Sequence, residues 1–357
     1  MKGKWFISVL FALVIGLGWS FAWAQNVLIT PIGQRTGEFC RTDRALLFED
    51  PTGVRILYDP GRSVAGGGDA RLGAVHVMIL SSVHADHIGE EKLNADPANV
   101  PCGASPPNNP NFTPTSQSNF AEIAAAKNSA VIVGGEMDAF LNKKIFNVLG
   151  LVPPATVAGC PAAGLTNEFV VPRASPCTAV LRHGGKRTAT MAAGSPGVQI
   201  AVVRADHSNG IPRGILADPE KTDLAADNLT AYAGPENGYV LSFTNGLVVY
   251  LSGDTGHTGD MATIVNDFYG AKLAVVNMGD IFSMGPEEAA FAVKRLIKPT
   301  TVIASHANEV ATTNGQVNAG TRTARFIDLV EGIPVHVPLS GVAISCNGQG
   351  QCVQGGP

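Results

Sequence analysis

Apolar and polar positions alternate in short runs along this chain. From Asn26 the pattern predicts strands at Val27 to Ile32, Ala45 to Glu49 and Val54 to Tyr58, with Asp50-Pro51-Thr52-Gly53 as a turn. Val75 to Leu80 is almost continuously apolar, as expected of a strand buried on both faces, and it runs into the polar cluster Ser81-Ser82-Val83-His84-Ala85-Asp86-His87. A helix is predicted from Phe120 to Lys127, a strand from Ala130 to Val133 and a helix from Glu136 to Phe146. Strands at Thr188 to Met191 and Val198 to Val203 lead to Ala205-Asp206-His207, and Asn245-Gly246 marks a hairpin between Tyr239 to Phe243 and Leu247 to Ser252. Alternation resumes with helices at Asp260 to Phe268, Glu287 to Ile297 and Thr321 to Val330, and with strands at Lys272 to Asn277, Thr301 to Ser305 and near Val335 and Val342. Three Pro-, Gly- and Asn-rich stretches, 92–118, 149–187 and 209–237, read as loop insertions without regular structure.

The first 24 residues stand apart. Lys2 and Lys4 precede an uncharged run that ends Ala22-Trp23-Ala24, which predicts a secretory signal cleaved after Ala24 and a mature domain over 25–357; an uncleaved anchor is the alternative. Its removal leaves 23 basic against 29 acidic side chains, a formal charge of −6, with no basic cluster to bind a nucleic acid. The expected partner is a small-molecule substrate, with no stable membrane insertion after cleavage; the oligomeric state is left open. Six cysteines in an exported chain favour disulfides, and Cys160 with Cys177 and Cys346 with Cys352 are natural close pairs.

Metal-competent side chains stand at four separate strand ends: His84, Asp86 and His87, then His207, Asp254 and His306. Imidazoles and carboxylates suit Zn²⁺ and related divalent ions, and a tight His-x-Asp-His turn can hold two adjacent ions by aiming His84 one way and Asp86 and His87 another.

These residues, in this order, resemble the metallo-β-lactamase superfamily, whose motif at the first loop is His-x-His-x-Asp-His. Met284-Gly285-Pro286-Glu287-Glu288-Ala289-Ala290 and Ile303-Ala304-Ser305-His306 are most similar to its ascorbate-6-phosphate lactonase-like branch. The resemblance implies an α/β fold, a four-layer αββα sandwich in a single domain. It implies His84 and His207 at a first metal, Asp86, His87 and His306 at a second, Asp254 bridging, and Asp59 supporting. The implied cofactor is Zn²⁺, one or two ions, with Mn²⁺ or Fe²⁺ as alternatives. The implied chemistry is hydrolysis of an ester, lactone, amide or phosphoester by metal-bound hydroxide, with Asp86 or Asp254 accepting a proton. Ser82 departs from the motif by replacing its first histidine, and His257, three residues after Asp254, is a candidate to fill the gap. The alternative reading is a non-catalytic metal-binding protein with a degenerate first site.

Overall fold

The structure is a computed structural model that describes residues 26–355; the expected signal segment 1–24 lies outside the described residues. Two twisted sheets stack face to face. The first has nine strands, with Arg55–Tyr58, Val77–Ile79, Ala130–Gly134 and Cys177–Leu181 running parallel at its centre. Every residue of Val77–Ile79 and Ala130–Gly134 is buried, because these strands are covered on both faces. The chain's last strands, Ile344–Cys346 and Cys352–Gln354, return to this sheet beside Val27–Pro31.

The second sheet has eight strands. Val248–Leu251, Leu273–Asn277, Thr301–Ser305 and Val335–His336 are parallel, while Gly197–Arg204 and Asn237–Ser242 are antiparallel to their neighbours. Between the sheets lies an apolar layer that includes Phe48, Ile56, Tyr239, Leu241 and Val275. Helices Asn119–Lys127 and Met137–Val148 cover the outer face of the first sheet. The helical segments Met261–Phe268, Pro286–Ile297 and Arg322–Leu329 cover that of the second. The four layers are the expected αββα sandwich.

Four local expectations need correction, the first at 209–237, which carries the helix Glu220–Ala226 and a short helical turn at Arg213–Ile215. Residues 149–187 are not structureless: Cys177–Leu181 pairs residue for residue with Ala130–Gly134, and Glu168–Val170 joins the second sheet. The prolines and glycines around Cys-Thr-Ala-Val-Leu conceal a five-residue strand too short to show a period. Residues 92–118 carry one strand of a small hairpin, Phe112–Pro114 against Glu91–Leu93, over a satellite cluster of Leu93, Val100, Ala104 and Phe112. At the Asn245-Gly246 hairpin only Gly246 is left-handed, with φ 90°, so the loop is a turn closed by Gly246 N–H donating to Phe243 O rather than a two-residue mirror-image turn.

All six cysteines are paired, as Cys40–Cys102, Cys160–Cys177 and Cys346–Cys352. Such bonds persist outside a reducing cytoplasm. Among the described residues no helix is long and apolar enough to cross a membrane.

Candidate metal centre

The topology gathers the chemistry at one edge. Asp59, the Ser81–His87 loop, His207, Asp254 and His306 each follow a strand whose far end points the same way. Asn237–Ser242 runs against its neighbours, with Arg204 opposite Asn237 and Leu251 opposite Tyr239, so the residue before it, Glu236, arrives at that same edge. Asp59 and His306 turn the chain sharply with φ of 41° and 52°, a left-handed backbone unusual outside glycine and common where a site constrains the chain.

The loop bearing the His-x-Asp-His sequence is held from below. His84 sits at the N-terminus of the single turn Ala85–Ile88, and Gly89 closes that turn with φ 75°. A side chain at Gly89 would strike Gly61 O and Asn119 Cβ, so only glycine lets the turn settle on the strand-end loop at Asp59-Pro60-Gly61. The buried Asn209 amide clamps the other side, its Oδ1 accepting from Val83 N–H at 2.8 Å and its Nδ2 donating to Gly234 O at 3.0 Å.

Two clusters of donor atoms result. In the first-described cluster, Asp86, His87, Asp254 and His306 bring one atom each to within 4.8 Å of one another. His87 Nε2 is 3.0 Å from Asp254 Oδ2, and His306 Nε2 is 3.1 Å from Asp86 Oδ2 and 2.9 Å from Asp254 Oδ1. The two imidazoles stack with centroids 5.1 Å apart. Burial works against charge on His87, but Asp254, Asp86 and Asp59 outweigh it and hold its pKa well above the ordinary value. Burial likewise opposes ionisation of Asp86 and Asp254, yet His87 and His306, joined by Arg44 at Asp86, hold both carboxyls well below theirs. Two Nε2 atoms and two carboxylates facing inward form a donor set for a divalent ion.

Asp59 resolves as a positioning residue. Its Oδ2 accepts from His87 Nδ1 at 2.8 Å and from Ser81 Oγ at 2.5 Å, and its Oδ1 accepts from Ser81 N–H at 2.8 Å. That contact occupies Nδ1 and turns Nε2 to the cluster.

The second cluster is His84, His207 and Glu236, again within 4.8 Å. Their rings meet edge to face, 5.1 Å apart for His84 and His207. Burial, and then the charge of His87, lowers the His84 pKa to about 4, while the Glu236 carboxylate raises that of His207 to about 9. Burial raises the Glu236 carboxyl, against the pull of His207. Nothing in the sequence pattern singled out Glu236; the available signal was an acid directly preceding an antiparallel strand of the site-bearing sheet.

Ser82 and His257 do not join either cluster. Ser82 is buried, and its Oγ accepts from His84 N–H at 3.0 Å and lies 3.3 Å from Asn209 Oδ1. His257 faces away: its exposed ring packs on Phe291 at 5.7 Å. His257, the candidate to fill the gap at position 82, is thus not among the residues gathered at either cluster.

Both clusters open on one cavity of about 990 Å³, lined by His84, Asp86, His207, Asp254 and His306. Residues 210–213 and 228–232 of the third insertion form one wall, Ser105 alone comes from the first, and 149–187 contributes nothing to it. Exposed Leu229, Tyr232, Ile281 and Phe282 surround its mouth, and Arg41, Arg44, Arg62, Arg213 and Arg322 also reach it.

A family profile described as a beta-lactamase superfamily domain matches residues 42–306. The chain belongs to the metallo-β-lactamase superfamily. Within it, a protein of Cupriavidus necator is 34% identical over 122 residues, a match covering 34% of this chain and 39% of that relative. A protein of Polynucleobacter asymbioticus is 25% identical over 275 residues, covering 74% of this chain and 72% of its own. Both are named UPF0173 metal-dependent hydrolase. The chain thus spans well under two thirds of the Cupriavidus necator relative. Among solved structures, Igni18, a metallo hydrolase of Ignicoccus hospitalis, superposes with a TM-score of 0.52 over 92% of this chain and 98% of its own, at 19% identity, which speaks for the fold.

Proposed function

We propose that this chain is an exported, metal-dependent hydrolase that cleaves an ester, lactone, amide or phosphoester bond of a small substrate. The observation that carries the reading is the inward convergence of Asp86, His87, Asp254 and His306 at the floor of an open cavity. The residues fit a divalent ion, zinc foremost: all four present one donor atom, and the buried Asp254 Oδ1 has no aligned hydrogen-bond partner. When bound, such an ion supplies Lewis acidity and lowers the pKa of water from 15.7 towards about 7.

The chain's own residues supply the rest. Asp86 or Asp254 accepts the proton of the attacking water, Asp59 keeps His87 Nε2 turned to the cluster, and Arg44 holds Asp86 in place through a 3.0 Å ion pair. The apolar rim of Leu229, Tyr232, Ile281 and Phe282 favours a substrate with an apolar body. Export is supported by the pairing of all six cysteines. The test is a panel of the four bond classes offered to metal-loaded protein and to Asp254→Asn. Turnover in the parent and its loss in the variant support the reading; less than about 0.5 ion per chain together with no turnover contradicts it.

A further inference from the structure

Where the superfamily motif has its first histidine, this chain has Ser82, whose buried hydroxyl accepts from His84 N–H, lies 3.3 Å from Asn209 Oδ1 and faces the Glu236 carboxylate. The space beside it is taken by Glu236. Asn237 N–H donates to Ser81 O at 3.0 Å, which docks the start of the Asn237–Ser242 strand directly against the Ser81-Ser82 segment. From behind, His183 Nε2 lies 3.2 Å from Glu236 O. The Glu236 side chain has no solvent exposure, and neither carboxylate oxygen has an aligned hydrogen-bond partner. Its Oε1 stands 3.5 Å from His207 Nδ1 and 3.8 Å from His84 Nδ1. A buried carboxylate held by no short, well-aligned hydrogen bond calls for a compensating cation, and the groups that face this one are the His207 and His84 imidazoles and the Ser82 hydroxyl.

We propose that Glu236 replaces the missing motif histidine as a ligand, so that His84, His207 and Glu236 hold a first ion beside the one at Asp86, His87, Asp254 and His306. This rests on the metal-centre reading above. Two imidazoles and one glutamate are a known donor set for a catalytic zinc ion. An anionic carboxylate in place of a neutral imidazole also makes this position harder, and so more favourable to Mn²⁺ or Fe²⁺ than a three-histidine site.

The experiment counts ions by elemental analysis after loading with zinc or manganese and desalting. Four forms are compared: the parent, Glu236→Gln, Glu236→Ala with Ser82→His, and Asp86→Asn, each checked for folding by its thermal melt. The expected counts are about two ions in the parent, about one in Glu236→Gln, and a return towards two in the double variant. Cobalt substitution gives a second readout, since Glu236→Gln then loses part of the visible absorption while Asp86→Asn loses a different part. Two ions in both the parent and Glu236→Gln overturn the proposal, as does one ion in both. No ion in any form overturns the metal-centre reading itself.

Discussion

Asp59 and His87 form a buried carboxylate–imidazole pair, Oδ2 to Nδ1 at 2.8 Å, with side chains 1% and 2% exposed. The pair joins two neighbouring parallel strands of the first sheet, Arg55–Tyr58 and Val77–Ile79, at their site-bearing ends. Because Asp59 occupies Nδ1, Nε2 is the nitrogen turned to Asp254. Asp59→Asn keeps the shape but loses the charge that holds this orientation. Metal affinity, measured by competition with a chromogenic chelator, is expected to fall about 10–100-fold. Unchanged affinity would show that packing alone orients the ring.

Arg44 reaches the same carboxylate that faces His306. Its Nη2 is 3.0 Å from Asp86 Oδ2 and also donates to Asn308 Oδ1, and its side chain is 2% exposed. Arg44→Met removes the charge and keeps most of the volume. Chelator-treated protein is expected to lose about 2 kcal/mol of stability in urea unfolding, the scale of a charge-assisted hydrogen bond. The metal-loaded protein is expected to lose less, because the ion takes over compensation of Asp86. Equal losses in the two states would mean that Arg44 supports the fold independently of the centre.

Asp69 gives a pH dependence away from the metal centre. Burial raises its carboxyl, but three hydrogen bonds from Arg71, two from its guanidinium and one from its backbone N–H, and one from Ala65 N–H outweigh burial and hold its pKa below the ordinary 3.8. A folded pKa below the unfolded one stabilises the protein above the ordinary value, and the contribution is lost as the pH falls through the lowered one. Arg71 in turn donates to Gly33 O and Ser63 O, so this clamp braces the loop that follows Asp59. Asp69→Asn should therefore be less stable than the parent at neutral pH, and the difference should shrink below about pH 4. A difference that does not vary with pH would place the effect in packing.

Export has an optical signature. The three tryptophans, Trp5, Trp19 and Trp23, all precede the expected cut after Ala24. Protein recovered from its native compartment is expected to show tyrosine-like emission without a tryptophan band, and a tryptophan band would mean that residues 1–24 are retained.

What the sequence discloses here is what lies at strand ends. His84, Asp86, His87, His207, Asp254 and His306 each follow an apolar run that marks a buried strand, so both their order and their convergence were legible. Glu236 was not, because it precedes its strand and follows Gly234-Pro235, where the pattern reads as loop; only the antiparallel pairing with Gly197–Arg204 turns it to the site. His257 is the converse case. Its closeness to Asp254 in sequence does not carry over into space, because its exposed ring packs on Phe291 instead. The strand Cys177–Leu181 escaped notice because a central position in a sheet is decided by its parallel partner Ala130–Gly134, forty-odd residues earlier, and not by its own five residues.

The most direct test of the account is a metal titration of activity. Chelator-stripped protein is titrated with zinc, and separately with manganese, while hydrolysis of the ester, lactone, amide and phosphoester panel is followed. The expected result is no turnover without metal, a rise with added ion that saturates at a stoichiometric amount, and no rise in Asp254→Asn. Turnover that survives stripping, or full metal loading without turnover of any bond class, would contradict it.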